Sequence, residues 1–210
     1  MDETPLSDGI AAILQTRHAN AVTLCAAVLT IAAATLDAPE ARAANTFLVT
    51  TAGDPGPMGT LSLRQAIAFA NVNGGDTVQF DASLNGSTIT LQSGEIPISK
   101  DTITIQGPGP DKLTVSGKGT SRIFNVAVGN YLAFTKIYGL TLTHGNADTA
   151  LFGGAIAASN SYLFLKDVRI TQSAAQYGGA LSLLDAGARL TNCVIVGNSA
   201  NQTGGGISFV

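Results

Sequence analysis

The feature that most constrains this fold is a repeat in the second half of the chain. A Gly-Gly pair, followed by a small and then an aliphatic residue, recurs at spacings of 25 and 26 residues in segments 153–156, 178–181 and 204–207. A second marker, two aliphatic residues two positions apart, recurs at spacings of 27, 28 and 26 residues: Leu113/Val115, Leu140/Leu142, Val168/Ile170 and Val194/Val196. Two independent markers with nearly the same period indicate a repeat architecture.

A repeat of this length accommodates three short strands and three turns, because a strand rises about 3.3 Å per residue. Each repeat can therefore close one coil, and stacked coils form parallel sheets. Strand alternation predicts two interior columns. They are Ile156, Leu181 and Ile207, and Leu142, Ile170 and Val196.

The Gly-Gly pairs are predicted to lie at corners of the coil. There, a positive φ or the close approach of a neighbouring backbone excludes a Cβ atom. A leucine-rich repeat is the alternative solenoid, but its asparagine and leucine consensus is absent, and the period is set by the glycine pairs. The repeats therefore favour a parallel β-helix.

One helix is predicted ahead of the repeats, over residues 61–71. Apolar residues occupy positions 63, 66, 67 and 70, which is the spacing of one helical face. Thr60 is the predicted N-cap, and the segment Asn73-Gly74-Gly75-Asp76 is predicted to end the helix. Terminal units of a solenoid must cover an open edge and an apolar end. We therefore predict an N-terminal cap over residues 44–110 and coils over residues 111–210.

Residues 1–43 have the layout of a signal peptide. A polar start precedes a run of apolar and small residues from 21 to 36, and residues 41–43 form a small-x-small cleavage site before Ala44. The run is short and alanine-rich for a membrane span, and an uncleaved anchor is the alternative. We expect an exported protein, secreted or on the cell surface, that spans no membrane after cleavage.

Charge along the sequence gives no support for nucleic-acid binding. The whole chain has a net charge of -3, and residues 44–210 carry as many basic as acidic side chains. We find no stripe of basic residues in the sequence, and we predict that aromatic and basic residues are not interleaved on one surface. Because phosphate binding needs such a patch, no nucleic-acid partner is expected.

Two parts of the chain resemble exported bacterial proteins. Residues 61–67 (Leu-Ser-Leu-Arg-Gln-Ala-Ile), with 70–71 and 76–80, resemble the CSLREA-type N-terminal module that precedes β-helix repeats. The glycine-pair units, with residues 198–200 ahead of the last one, are similar to repeats of polymorphic outer membrane proteins and other autotransporter passengers. The resemblance implies an all-β protein: a right-handed, pectate-lyase-like parallel β-helix with an N-terminal capping helix. It also implies a longer passenger, so we expect coils 111–210 to be truncated.

The chain departs from these family patterns at several places. Leu61 stands where the N-terminal module has its cysteine, and Gln65 stands where it has glutamate. The repeats also lack the Phe that is usual in the outer membrane family. No role for the module's cysteine is therefore carried over to this chain.

Candidate catalytic residues are scattered. A β-helix enzyme needs two or three carboxylates that converge on one sheet face, often with an Arg or Lys nearby. The candidates are Asp148, Lys166, Asp167, Arg169, Asp185 and Arg189. The predicted alignment of Val168 with Val194 sets Asp167 above Cys193 and no carboxylate above another. Asp167 and Arg169 are interpreted as a surface ion pair.

His144 and Cys193 are the remaining reactive side chains after leader cleavage. With one histidine and no Cys-x-x-Cys pattern, no metal site is expected. Cys25 lies in the leader, so Cys193 has no disulfide partner and is predicted to be an inward-facing small hydrophobic residue. We expect no catalytic residue, no metal and no cofactor.

The sequence thus predicts a non-enzymatic β-helix, the N-terminal part of an adhesin-like or autotransporter passenger. Segments such as 146–152 would be displayed as loops to host-surface or glycan ligands, and the open last coil would favour self-association. Two alternatives stay open. One is a carbohydrate-active enzyme, such as a polysaccharide lyase with catalytic coils beyond Val210, and the other is a structural spacer.

Overall fold

The computed structural model describes residues 43–130 and 132–210, and for residues 148–150 it describes the backbone alone. The predicted leader, including Cys25, lies outside the described residues except for residue 43. Ala44–Val210 form one compact unit. Within the described ranges, no helix is long and apolar enough to cross a membrane.

The described residues form seventeen β-strands and one α-helix. In chain order the strands are β1 (Thr46–Val49), β2 (Thr77–Phe80), β3 (Ser87–Thr90), β4 (Ile96–Ile98), β5 (Thr104–Gln106), β6 (Leu113–Ser116), β7 (Phe124–Ala127), β8 (Phe134–Thr143), β9 (Asn146–Phe152), β10 (Ile156–Ser159), β11 (Tyr162–Thr171), β12 (Ala174–Tyr177), β13 (Leu181–Leu184), β14 (Gly187–Thr191), β15 (Val194–Val196), β16 (Ser199–Thr203) and β17 (Ile207–Phe209). The helix α1 spans Leu63–Asn73, and a 3-10 turn covers Ala82–Leu84.

The strands stack in parallel as the faces of a β-solenoid. One stack runs β1-β2-β5-β8-β11-β14, with one strand for each of six turns. The strands β3, β6 and β15 join the C-terminal halves of β8 and β11 as a second face. Two further sheets have the orders β17-β13-β10-β7-β4 and β16-β12-β9. The predicted parallel β-helix with one N-terminal helix is confirmed, and its right-handed sense stays a prediction.

The interior column predicted from the glycine-pair repeat is confirmed. Ile156 pairs with Leu181, and Leu181 pairs with Ile207 on the next coil. The two glycines of a pair serve different purposes. Gly178 has a φ of +65°, whereas a Cβ on Gly179 would collide with backbone oxygens of the following coil. Both reasons exclude a larger residue at the corner.

The second predicted column is wrong in its last coil. Leu142 pairs with Ile170 as predicted, but Ile170 pairs with Ile195 and not with Val196. Val194 and Val196 point outward and are 47% and 58% exposed. The offset between paired residues of these two coils is 25, one fewer than the 26 that the sequence alignment assumed. Because side chains alternate along a strand, a one-residue shift moves each of them to the other face.

Residues in the left-handed backbone conformation are stacked at the corners of successive coils. Gly139, Asp167 and Asn192 form one such column, with φ of 58°, 52° and 51°. The side-chain amide of Asn192 donates a hydrogen bond to the carboxylate of Asp167. Asn160 and Asp185 form another column, with φ of 45° and 44°. Asn, Asp and Gly tolerate this conformation best, so backbone geometry alone accounts for both aspartates.

Helix α1 confirms the predicted apolar face and corrects the predicted start. Its buried residues are Leu63, Ala66, Ile67 and Ala70. The N-cap is Ser62 and not Thr60, because the Ser62 hydroxyl accepts from the backbone N–H of Gln65 while the Gln65 side chain accepts from the Ser62 N–H. This reciprocal capping box satisfies two free donors at the helix start. The helix ends before Gly74, which has a φ of +76°.

Two segments are more regular than the sequence predicts. Strands β2 to β5 lie within the predicted cap, yet β2 pairs with β5 and β5 pairs with β8, so the stacked coils extend into residues 44–110. The segment 146–152, predicted as a displayed loop, is strand β9, which pairs with β12 at residues 146, 147 and 152 and has a register shift between them. Parallel pairing with the next coil supplies hydrogen bonds that a loop would leave to water.

Candidate binding face

The outward side chains of β8, β11 and β14 form a face of aromatic and cationic residues. Parallel pairing sets equivalent positions of adjacent coils about 4.8 Å apart. The rows, in coil order, are Phe134-Tyr162, Lys136-Phe164-Arg189 and Tyr138-Lys166-Thr191. We call these eight residues the aromatic–cationic face.

The aromatic rings on this face contact one another. The centroids of Phe134 and Phe164 are 5.7 Å apart with nearly perpendicular planes, and those of Tyr162 and Phe164 are 5.1 Å apart. The Nζ of Lys136 lies 4.9 Å from the centroid of the Phe134 ring. A Cβ on Gly187 would lie 2.5 Å from the ring of Tyr162, so this glycine leaves the space that the ring occupies. Such ring pairs hold the side chains in place.

The charge of this face is positive. Its three cations are Lys136, Lys166 and Arg189, and it contains no Asp or Glu. None of the three forms an ion pair within the part of the chain that the structure describes. The adjacent corner carboxylate, Asp167, accepts a hydrogen bond from Asn192. Unpaired cations on one surface attract anionic ligands, with a range of about 8 Å at physiological salt.

Two hollows shape this surface. A groove of about 310 Å³ lies at the corner and is lined by Tyr138, Lys166, Asp167 and Asn192, together with Gln106 and residues 107–110. A smaller hollow of about 130 Å³ lies between Phe164, Arg189 and the same Tyr138 and Lys166. Because the two hollows share Tyr138 and Lys166, they lie next to each other on the face, and we call them together the recess.

The structure divides the predicted catalytic candidates between different places. Lys166 and Arg189 lie on the aromatic–cationic face, with Asp167 at its corner. The predicted pair of Asp167 and Arg169 is wrong, because Arg169 instead donates to Asp111 at 2.9 Å. The chain turns at Asp167, which sends Arg169 to the next face.

The predicted stacking of Asp167 on Cys193 is also wrong. Lys166 pairs with Thr191, and Asp167 contacts Asn192. This offset is 25 residues where the sequence alignment assumed 26. The same one-residue difference moved the last interior column, so both errors have one origin.

The other candidates lie apart from this face. Asp185 is exposed at the corner between β13 and β14, and Asp148 lies on β9. His144 is exposed at the end of β8, and Cys193 is half-buried against the hydrophobic core. Among the described residues, no group of three or more His, Cys, Asp or Glu is arranged to hold a metal ion.

The aromatic–cationic face was not predicted from the sequence. The prediction that aromatic and basic residues are not interleaved is wrong, because pairing sets Lys136 beside Phe164 and Phe164 beside Arg189. A signal was present in the sequence. Segments 134–138 (Phe-Thr-Lys-Ile-Tyr) and 162–166 (Tyr-Leu-Phe-Leu-Lys) alternate aromatic and basic residues with inward-facing ones. A period of two on a strand puts those side chains on one face.

Comparison with known proteins does not assign this chain to a family. No protein-family model, curated protein or solved structure matches this chain. The resemblance to the CSLREA-type module and to passenger repeats therefore stays a prediction from the residues that carry it. The parallel β-solenoid itself rests on the strand pairing of this structure.

Proposed function

We propose that this chain is an exported, non-enzymatic β-solenoid that binds anionic polysaccharide, as the N-terminal part of an adhesin-like or autotransporter-type passenger. One observation carries the proposal: three cations and four aromatic rings lie in adjacent rows with no carboxylate among them. Aromatic rings offer apolar surface to the faces of sugar rings, and cations complement carboxylate or sulfate groups.

The arrangement suits a linear polymer that runs along the solenoid axis. Each of three consecutive coils contributes one cation: Lys136 from β8, Lys166 from β11 and Arg189 from β14. Neighbouring coils are about 4.8 Å apart, so a ligand with regularly spaced charges meets a new cation at every coil. Several weak contacts along one chain add up to useful affinity.

The composition of the recess supports binding without turnover. Glycoside hydrolysis usually needs two carboxyl groups about 5–9 Å apart. Among the described residues, Asp167 is the one carboxylate that lines either hollow, and it accepts a hydrogen bond from Asn192. We therefore interpret Asp167 as a corner residue whose carboxylate also lines the proposed ligand site.

Binding of the full chain to polygalacturonate, a polymer of uronic acid, tests the proposal, with dextran as the neutral comparison. We expect saturable binding to polygalacturonate alone. The triple variant K136Q/K166Q/R189Q should lose about tenfold or more in affinity, since three charge contacts contribute about 0.5–1 kcal/mol each. The matched control is K100Q/K112Q/K118Q, which removes the same charge from exposed positions elsewhere.

Equal loss in both triple variants would show that net charge, and not this face, drives binding. Unchanged affinity in the face variant would overturn the proposal. The same mixtures test the enzyme alternative, because a lyase would release unsaturated sugar ends that absorb in the ultraviolet. A steady rise in that absorbance would replace the non-enzymatic function with polysaccharide cleavage.

Export is tested separately by expressing the full chain in a Gram-negative host. We expect the protein outside the cytoplasm with Ala44 as its first residue by N-terminal sequencing, because residues 41–43 form a small-x-small cleavage site. A control lacking residues 1–43 should stay in the cytoplasm. Uncleaved protein in the inner-membrane fraction would instead establish the anchor alternative.

A further inference from the structure

A second recess lies on another sheet of the solenoid, apart from the aromatic–cationic face. It has a volume of about 120 Å³ and opens on the outward side of the sheet that contains β7, β10 and β13. Its polar residues are Arg122, Asn125, Ser159 and Ser182, and its other lining residues are Phe152, Ala157, Ala158 and Leu184.

The recess exists because a small residue separates two polar ones. Asn125, Ala157 and Ser182 occupy equivalent positions on three consecutive coils. The outer two are therefore about 10 Å apart, and the methyl group of Ala157 forms the floor between them. Phe152 and Leu184 contribute apolar walls.

Two buried polar atoms, in side chains that line this recess, have no hydrogen-bond partner among the described residues. The side chain of Arg122 is 7% exposed, and its Nε makes no hydrogen bond in the described part of the chain. Ser182 is 1% exposed, and its hydroxyl likewise has no hydrogen-bond partner among the described residues. Buried polar atoms almost always form hydrogen bonds, so two atoms without such a bond in one recess need an explanation.

The charge of Arg122 is only loosely compensated. Its Nε lies 3.5 Å from the Oε2 of Glu95, whose other oxygen accepts a hydrogen bond from Asn125 at 2.8 Å. Burial lowers the pKa of Arg122, while the carboxylate of Glu95 raises it. An arginine nevertheless stays charged in a protein, so the recess is lined by a buried cation and by a hydroxyl donor without a hydrogen-bond partner among the described residues.

We infer that this recess binds a small carboxylate, which accepts hydrogen bonds from Arg122 and Ser182 and packs its short apolar end against Ala157 and Phe152. The guanidinium matches the two oxygens of a carboxylate, and charge-assisted hydrogen bonds of this kind are strong. The volume equals about four water molecules at 30 Å³ each, which suits an acetate-sized group and not a whole sugar. This site does not depend on the proposed polysaccharide binding.

The test titrates the full chain with sodium acetate and follows backbone amide resonances by NMR, at ionic strength held constant with sodium chloride. We expect saturable shifts at residues 122 and 182, and none with acetamide, the neutral analogue. Ser182→Ala should weaken acetate binding, and Arg122→Gln should weaken it about tenfold or more. The matched control, Lys112→Gln, removes an exposed cation that does not line this recess and should leave acetate binding unchanged.

A further variant keeps the test decisive if Arg122→Gln fails to fold. Glu95→Gln removes the carboxylate that competes for Arg122, so acetate should bind several-fold more tightly to it. Absence of saturable shifts in both the parent chain and Glu95→Gln would overturn the inference. Equal shifts with acetate and acetamide would also overturn it, because the site would then not select a carboxylate.

Discussion

Arg64 holds the carboxylate of Asp54 with two hydrogen bonds, from Nε at 2.7 Å and from Nη2 at 2.8 Å. The same guanidinium donates to the carbonyl oxygens of Gly94 and Glu95. Asp54 also accepts from the backbone N–H of Gln92 at 2.8 Å. Arg64 belongs to the segment that resembles the N-terminal module, and its contacts join helix α1 to the turn before β4.

This ion pair makes stability depend on pH. Burial raises the pKa of Asp54, but hydrogen bonds from Arg64, Gln92 and Ser93, with the charge of Arg64, outweigh it and hold the pKa below 3.8. A carboxyl group with a lowered pKa in the folded state stabilises the fold above its unfolded pKa, and that stability is lost as pH falls through the folded value. Chemical denaturation at pH 7 and at pH 3 or lower measures this loss.

The matched variant is Asp54→Asn, which keeps the shape of the side chain. We expect it to lower the free energy of unfolding by about 2 kcal/mol at pH 7, because hydrogen bonds to a charged partner are lost. The difference from the parent chain should shrink in acid, where the parent loses the same contribution. A difference that is constant with pH would contradict the role given to the Asp54 charge.

The register of the last coil predicts opposite results for two neighbouring residues. Ile195 pairs with the buried Ile170, whereas Val196 is 58% exposed. Ile195→Ala should lower the free energy of unfolding by about 2 kcal/mol through lost burial and a cavity, and Val196→Ala by less than about 0.5 kcal/mol. Urea denaturation of both variants measures the two changes. A larger loss of stability in Val196→Ala than in Ile195→Ala would support the register that the sequence alignment predicts.

The corner pair of Asp167 and Asn192 predicts a variant whose stability increases in acid. Asn192→Asp replaces a hydrogen-bond donor with a second carboxylate, so the fold should lose about 1–2 kcal/mol at pH 7. Repulsion raises the pKa of carboxyl groups in the folded state, and stability should therefore recover as pH falls toward 4. Asn192→Gly, which tolerates the same φ of 51°, is the control and should show no such recovery.

An unpaired hydroxyl in the core offers a stabilising substitution. Thr135 is fully buried, and its Oγ1 has no hydrogen-bond partner among the described residues. Valine has the same shape and the same preference for strands, so Thr135→Val should raise the free energy of unfolding by about 1 kcal/mol. Thermal denaturation measures the gain. Thr104→Val, at an outward position of β5, should change little, and a loss of stability in Thr135→Val would reveal a partner for the hydroxyl.

Gly187 controls the position of an exposed ring on the aromatic–cationic face. A Cβ at this residue would lie 2.5 Å from the ring of Tyr162, which is 38% exposed and can rotate away. Gly187→Ala should therefore lower the affinity for polygalacturonate by a few-fold, with a change in unfolding free energy of less than about 1 kcal/mol. Affinity equal to that of the parent chain would remove Tyr162 from the proposed site.

Features that depend on periodicity were predictable from the sequence. The glycine-pair repeat determined the coil and the interior column of Ile156, Leu181 and Ile207, because one repeat length brings equivalent residues onto neighbouring strands. The spacing of apolar residues in 63–70 determined the buried face of α1, because a helix repeats every 3.6 residues. Both patterns can be read from the spacing of residues in the sequence, without knowing which segments are adjacent in the fold.

Other features were decided by the tertiary structure alone. The sequence alignment predicted an offset of 26 residues for the last coil, but strand pairing has an offset of 25, which puts Ile195 inside and Val196 outside. Pairing between coils likewise brought Phe164 between Lys136 and Arg189, and folding brought Arg64 to Asp54 across the start of the solenoid. The physical reason is that a strand exposes alternate residues, so which side chains share a surface depends on the register between coils, and that register is formed only when the coils pair.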